Sequence, residues 1–546
     1  MGKGAPVKRR DFLLATGMPF VLAGCSKPLQ IEGGFVGSGH ERGHLLRSLK
    51  APQSPSKVMR TRVLIAGGGV AGLAAARALR LRGMIDFALL ELEGSAGGNS
   101  RASAVNGIAC PLGAHYLPVP DASNGQARHV QDLLEELGLR QRVSGRWQYD
   151  EKVLCHSPQE RLFINGQWQD GLLPLQDADA ESIAQYKKFA LLVAQASSTL
   201  QFSIPVTNRA IAPEIRALDA INFDAWLNQN QLTSAPLRWY LDYCCRDDYG
   251  AGLGTVSAWA GIHYFASRHG FSSPASPGTE PSQERDSGVL TWPQGNGWLT
   301  QRLAEPLGSA LHTGRVVTRI AHAKHGVEVD AIHVTTGQVE RWLADECIVA
   351  LPLFVAARVI ENPPSALKLA AANARYAPWL VANIHINAAL HDRPGAAPSW
   401  DNVLYSGQST LPVEGLGYVD AMHQSLNRVP GATVLTHYRA FGIDAARRKH
   451  LYEQPWAHWR DTVLGELSVA HPDLRAKTTR IDVVRYGHAM SVPVPGVRSS
   501  AALHALRQPQ ITHSRLRFAH SDLSGYSVFE EAFTHGHLQG SVVALG

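Results

Sequence analysis

The strongest constraint on the fold is a glycine turn between a β-branched run and an alanine-rich run. Arg62-Val63-Leu64-Ile65-Ala66 leads directly into Gly67-Gly68-Gly69-Val70-Ala71-Gly72, and a helix-forming stretch from Leu73 to Arg82 stops at Gly83. Strand, tight turn and helix in that order are the context in which G-x-G-x-x-G binds a dinucleotide. Gly67 permits the turn, Gly69 lets the backbone approach a pyrophosphate, and Gly72 lets the helix pack close to the strand. Ala71 joins them as a cofactor-facing position at a helix N-terminus whose free N–H groups suit phosphate oxygens. A second strand, Phe87 to Glu91, ends on a carboxylate 19 residues after Gly72, close to the spacing of about 20 in this fingerprint. There Glu91 accepts hydrogen bonds from ribose hydroxyls and repels a 2′-phosphate.

The composition sets the scale of the rest. With 546 residues, 45% hydrophobic and 18% charged, the chain is neither disordered, collagenous nor a coiled coil, and its length suits about three or four domain-sized units. Lys3, Lys8, Arg9 and Arg10, less Asp11, hold three of the formal +6 charges. The remainder is too small, and too poor in basic stripes with interleaved aromatics, for a nucleic-acid partner.

Lys8-Arg9-Arg10-Asp11-Phe12-Leu13-Leu14 resembles the twin-arginine signal for export of folded proteins. The apolar run from Phe12 to Gly24 covers 13 residues, short of the roughly 20 that span a bilayer. Leu22-Ala23-Gly24-Cys25 resembles a lipobox, which implies a lipid anchor on Cys25, and Ser26 after it implies the outer membrane. The expected location is therefore lipid-anchored on the periplasmic side, with residues 1–25 as signal and 26–60 as a Gly/Ser/Pro-rich linker. Export after folding favours a cofactor inserted beforehand. The other cysteines, Cys110, Cys155, Cys244, Cys245 and Cys347, are odd in number and lack metal-ligand spacing, so they are expected as buried thiols.

Further along, Gly97-Gly98 precedes Asn99-Ser100-Arg101, and Pro111-Leu112-Gly113-Ala114-His115-Tyr116-Leu117 follows. Together with Glu91 these blocks resemble the flavin amine oxidase superfamily. The resemblance implies that Gly97, Gly98 and an arginine contact flavin phosphates. The usual arginine directly after the glycine pair is Asn99 here, leaving Arg101 as the substitute. It also implies that Gly113-Ala114 lies beside the isoalloxazine, that Val317 in Val316-Val317-Thr318 contacts adenine, and that Asp522 and Ala532 in the C-terminal block hold the ribityl-phosphate region and open a helix under the flavin. Ser527-x-x-Glu530 has the form of a capping box, placing that helix start near Val528. No cysteine lies in this block to form a thioether, so the implied cofactor is noncovalent FAD.

The expected architecture is α/β. A Rossmann-like FAD-binding domain is assembled from 61–139, 289–360 and 476–546, with an α+β substrate domain inserted as 140–288 and 361–475. Phe163 to Trp168 carries a hairpin signal. Arg246-Asp247-Asp248-Tyr249-Gly250 and Trp259 to Arg268 are dense in acidic and aromatic groups, which suits either a cation cavity or a solvated turn followed by a core helix. Tyr486 and His488 lie where amine oxidases carry rings facing the flavin, and are the candidate catalytic residues. No metal site is expected, because His535-Gly536-His537 lacks helical i, i+4 spacing.

The resemblance implies amine oxidation, polyamines included, by hydride transfer to flavin N5. One departure concerns the lysine that many members place near that atom: Tyr376 to His385 contains none, which weakens oxygen reactivity. The alternatives are a dehydrogenase or desaturase of an apolar substrate, and a flavin-binding envelope protein without turnover. The small-molecule substrate and the electron acceptor are not specified by these residues.

Overall fold

The computed structural model describes residues 30–545 except 38, 49–53, 122–123, 156–158, 177, 207–210, 269, 274–287, 408–413, 424–429 and 509–514. The twin-arginine motif and Cys25 lie outside the described residues, as does most of the Ser/Pro-rich stretch after Phe271. Within the expected linker, residues 26–60, a strand β1 (Glu32–Phe35) and a helix α1 (His40–Ser48) form before β2 (Lys57–Ala66) begins. This corrects the linker expectation. β1 gains its order from parallel pairing with the strand Thr478–Ser491, a contact that local composition does not encode.

The glycine fingerprint folds as its chemistry requires. β2 runs parallel to β3 (Phe87–Leu90), and α2 (Val70–Leu81) connects them, with every residue from Val70 to Leu79 buried. A parallel sheet covered on both faces needs continuous apolar runs rather than alternation, and Val63-Leu64-Ile65-Ala66 is such a run. On the other side of β2 the strand Val339–Val349 pairs in parallel, and Leu516–Phe518 adds beside it. Leu311–His312 adds in parallel beside β3, and the antiparallel hairpin Arg315–Ala323 and Gly326–His333 completes this seven-stranded sheet.

A second, eight-stranded sheet carries the substrate side. At its centre Tyr376–Ile386 pairs antiparallel with Thr433–Ala440 and with Thr478–Ser491. Every residue of Tyr376–Ile386 is buried, so the strand is packed on both faces. The expected return to the FAD-binding part at 476 is therefore too early: Thr478–Ser491 belongs to the second sheet, and the first resumes at Leu516. The Phe163 hairpin forms, with Asn165 and Gly166 at φ 51° and 81°. Helices Phe223–Gln229, Ala235–Tyr249 and Ala258–Ala266 pack in the largest apolar cluster of this half.

Candidate functional site

One cavity of about 760 Å³ is lined by residues of both sheets. Its first end is built by the fingerprint. Gly67 sits at φ 105°, and a Cβ there would stand 2.3 Å from the Ala350 carbonyl oxygen. Gly67, Gly69 and Ala71 line the cavity, while Gly72 stands behind them. A Cβ on Gly72 would meet the Gly67 carbonyl oxygen at 1.9 Å, so only glycine lets α2 begin this close to the turn. Glu91 is buried at the wall and accepts the Gly68 N–H at 2.9 Å and the Glu93 N–H at 2.7 Å. Burial pushes its carboxyl above the ordinary range, against the pull of those two amides.

The other expected cofactor residues converge here. Gly97, Gly98, Gly113 and Ala114 line the wall, and Val317, Asp522 and Ala532 complete it. Arg101 also lines the cavity, but it donates to the Gly98 carbonyl at 3.1 Å and to the Gly37 carbonyl at 2.6 Å. Asp522 is fully buried, and its Oδ2 accepts the Leu353 N–H and the Tyr376 hydroxyl. Its Oδ1 faces His520 Nδ1 at 3.2 Å. Burial opposes its ionisation, but the His520 charge and these hydrogen bonds win and hold the carboxyl below its usual range.

The helix Phe529–Val543 starts one residue later than expected and has no side-chain cap. The capping box does not form: Ser527 Oγ instead accepts the Ser491 N–H at 2.9 Å, tying the helix start to the second sheet. The uncapped N-terminus faces the cavity through Val528, Phe529 and Glu530.

The second end of the cavity is acidic and aromatic. Arg268 holds Asp248 bidentately at 2.9 and 3.1 Å, while Asp247 and Glu530 lie on the same wall with no ion pair among the described residues. Burial pushes both of these carboxyls up to about 7, and neighbouring acids add to the effect. Of the two acidic and aromatic segments singled out in the sequence, only part reaches the cavity: Asp247, Asp248 and Arg268 line it, whereas Trp259 and His263 are buried in the core. Tyr438 stacks on His115 with ring centroids 4.4 Å apart and donates to the Gly113 carbonyl at 2.9 Å. Trp379 stands edge-on to Tyr438. Burial drives His115 down to about 3, so the ring stays neutral.

Tyr486 and His488 occupy alternate positions of one strand and both line the cavity. Tyr486 donates to the Leu112 carbonyl at 2.9 Å. His488 is exposed at the rim, with its ring 4.7 Å from that of Phe354. Partial burial, then Arg448, Arg47 and His44, push it down to about 4. Sequence reasoning missed Trp379, Tyr438 and Glu530: the first two lie on strands without alternation, and the third matches a capping pattern. Among the described residues no group of His, Cys, Asp and Glu has a metal-binding arrangement.

Residues 70–540 match the model of the flavin-containing amine oxidoreductases. The chain belongs to that family. Solved structures of like fold include putrescine oxidase bound to putrescine, with TM-score 0.63 and 16% identity over 90% of this chain and 100% of that one. Cyclohexylamine oxidase from Brevibacterium oxydans follows at 0.62 and 16%, over 89% and 99%. A CLA-producing fatty acid isomerase from P. acnes follows at 0.60 and 14%, over 88% and 97%. A Baeyer-Villiger monooxygenase from Streptomyces coelicolor is 37% identical over 91 residues, 14% of this chain, and the chain spans only 17% of that relative.

The protein is thus an FAD-dependent oxidoreductase, and its cavity fits the cofactor. A side chain at Gly67 or Gly72 would meet a backbone carbonyl and break the turn that forms the cradle, and among the described residues the buried Asn296 Oδ1 on the cavity wall has no hydrogen-bond partner. Glu91→Ala and Asp522→Ala are each expected to lower the flavin content of the purified protein, by analogy with losing a charged hydrogen-bonding group worth about 1.5–3 kcal/mol. The ratio of visible to ultraviolet absorbance measures it; full flavin in both variants contradicts the assignment.

Proposed function

We propose that this protein oxidises an amine, polyamines included, by hydride transfer to flavin N5. The observation that carries the reading is the acidic end of the cavity, where three carboxyls face one guanidinium. An ammonium group supplies the missing positive charge, and the rings of Trp379, Tyr438 and Tyr116 on the same walls favour a cation over an anion.

Bound FAD supplies the hydride acceptor. The chain's own groups do the rest. Asp247 or Glu530 takes the ammonium proton on a carboxylate oxygen, leaving the free amine lone pair that assists loss of the α C–H hydride. His115, Trp379 and Tyr438 exclude water around the reacting carbon. The uncapped N-terminus of Phe529–Val543 presents amide N–H groups to negative charge that develops at this wall. Tyr486 positions the wall through its bond to Leu112, and His488 guards the rim.

A second reading, a dehydrogenase or desaturase of an apolar substrate, is favoured by one feature: among the described residues no lysine lines the cavity. Turnover assays with a dye acceptor separate the two. Mono-, di- and polyamines are expected to reduce the dye; a protein inert to all of them but active on an apolar alkane chain establishes the second reading. Dye-coupled turnover is expected to exceed oxygen-coupled turnover.

Export by the twin-arginine route with a lipid anchor on Cys25 remains part of this proposal, supported by the N-terminal motif. Replacing Arg9 and Arg10 by Lys is expected to retain the protein in the cytoplasm, and Cys25→Ala to release it from membranes. Unchanged fractionation of both contradicts it.

A further inference from the structure

The segment before the family match carries a feature that the superfamily blocks do not include. Gly39, His40, Gly43, His44, Leu46 and Arg47 of the α1 region line the cofactor cavity, although the match begins at residue 70. Its hydrogen bonds flank the dinucleotide end, while the His40 ring packs on Tyr452 with centroids 5.0 Å apart. Arg101 donates to the Gly37 carbonyl at 2.6 Å, just beyond the Gly97-Gly98 turn. The Gly39 N–H donates to Glu93 Oε1 at 2.8 Å, and Arg42 Nη1 donates to Glu93 Oε2 at 3.1 Å, two residues past Glu91. At the far end Arg358, itself a cavity residue, donates to the Leu46 carbonyl at 2.7 Å.

Packing places the helix over the same end. Leu46 lies against the cluster of Val316, Ile332 and Val339, together with Leu92. Upstream, β1 anchors the segment on the second sheet through the pairs Glu32 with Arg480 to Phe35 with Val483. Gly43 sits inside the helix, where glycine costs about 1 kcal/mol relative to alanine, yet a Cβ there would meet nothing within 4 Å. The helix has no buried residue, so its own apolar burial does not account for its position; its ties to Glu93, Arg101 and Arg358 do. Arg47 gives this wall a guanidinium suited to a pyrophosphate, and beside it burial, then Arg47 and His40, push His44 down, so that its imidazole acts as a neutral hydrogen-bonding group.

We propose that residues 39–47 are a part of the cofactor site that closes over the adenosine-diphosphate half of FAD. The helix must be undocked for FAD to enter or leave, so the dinucleotide is held by a segment from outside the family match at residues 70–540. This inference rests on the FAD assignment but not on the amine reading.

The test is the rate of flavin release from the holoprotein, followed by the rise in free-flavin fluorescence after dilution. Arg42 is part-exposed and absent from the cavity wall, so Arg42→Ala leaves the wall intact while removing the tie to Glu93. It is expected to release FAD about two- to fivefold faster, the scale of an ion pair whose arginine is 37% exposed, and Arg42→Lys is expected to stay close to the parent. A second variant, Gly43→Trp, adds bulk on the cavity side of α1, and after flavin removal is expected to bind ADP at least about tenfold more weakly. Parental release rates in Arg42→Ala together with parental ADP affinity in Gly43→Trp overturn the proposal. Circular dichroism of both variants, expected to match the parent, separates loss of the site from loss of the fold.

Discussion

Gly72→Val is expected to yield protein without flavin. The new Cβ would stand 1.9 Å from the Gly67 carbonyl oxygen, a backbone atom that cannot move without breaking the turn. α2 cannot slide away either, because its far face is closed by the helix Phe529–Val543, where a Cβ on Gly536 would already meet the Ala71 carbonyl oxygen at 1.9 Å. Overpacking of this kind costs about 1–3 kcal/mol in stability. The larger effect is on binding, since displacing α2 moves the amides that face the pyrophosphate. Visible absorbance of the purified variant near the flavin bands is the check. As a control, Gly94→Ala, with open space at its Cβ position, is expected to retain full flavin.

The second large effect lies at the acidic end. The double variant Asp247→Asn with Glu530→Gln is expected to lower kcat/KM for a cationic amine by roughly 10²-fold and more, the scale of about 2–5 kcal/mol for truncating a buried charged partner. Both carboxyls are pushed up to about 7 by burial, so they are neutral below that pH and anionic above it. For the parent, kcat/KM for the amine therefore rises as pH increases through about 7, and the double variant lacks that limb. Stability runs in the opposite direction. With folded values above the ordinary carboxyl value of about 4, the two groups stabilise the fold fully below about pH 4, and that contribution is lost as pH rises through about 7. The double variant should consequently melt higher than the parent at pH 8, with no advantage at pH 4. A flat pH profile in the parent, or unchanged amine kinetics in the variant, removes the assigned role of these carboxyls.

What the sequence disclosed and what it concealed follow one physical line. The glycine turn, Glu91, Gly113-Ala114, Val317, Asp522 and Ala532 were legible because each encodes a local backbone demand or a short-range spacing, and all of them border one cavity. β1 and α1 were hidden in a segment with linker composition, since their order comes from pairing with Thr478–Ser491 and from ties to Glu93, Arg101 and Arg358. The boundary near 476 was misplaced for a related reason: Thr478–Ser491 joins the second sheet through long-range pairing with Tyr376–Ile386 and Glu32–Phe35, which local composition does not encode. Glu530 shows how one pattern serves two ends. Ser527-x-x-Glu530 satisfies the capping-box spacing, but Ser527 bonds to Ser491 instead and leaves Glu530 facing the cavity. Arg101 lines the cavity and also donates to the Gly37 carbonyl of the N-terminal segment, a long-range contact that its local spacing does not encode.

An anaerobic visible spectrum of the purified protein tests most directly whether an amine reduces the flavin. An oxidised flavin band that bleaches on adding a mono-, di- or polyamine is the expected result. A flavin band that none of these amines bleaches contradicts it.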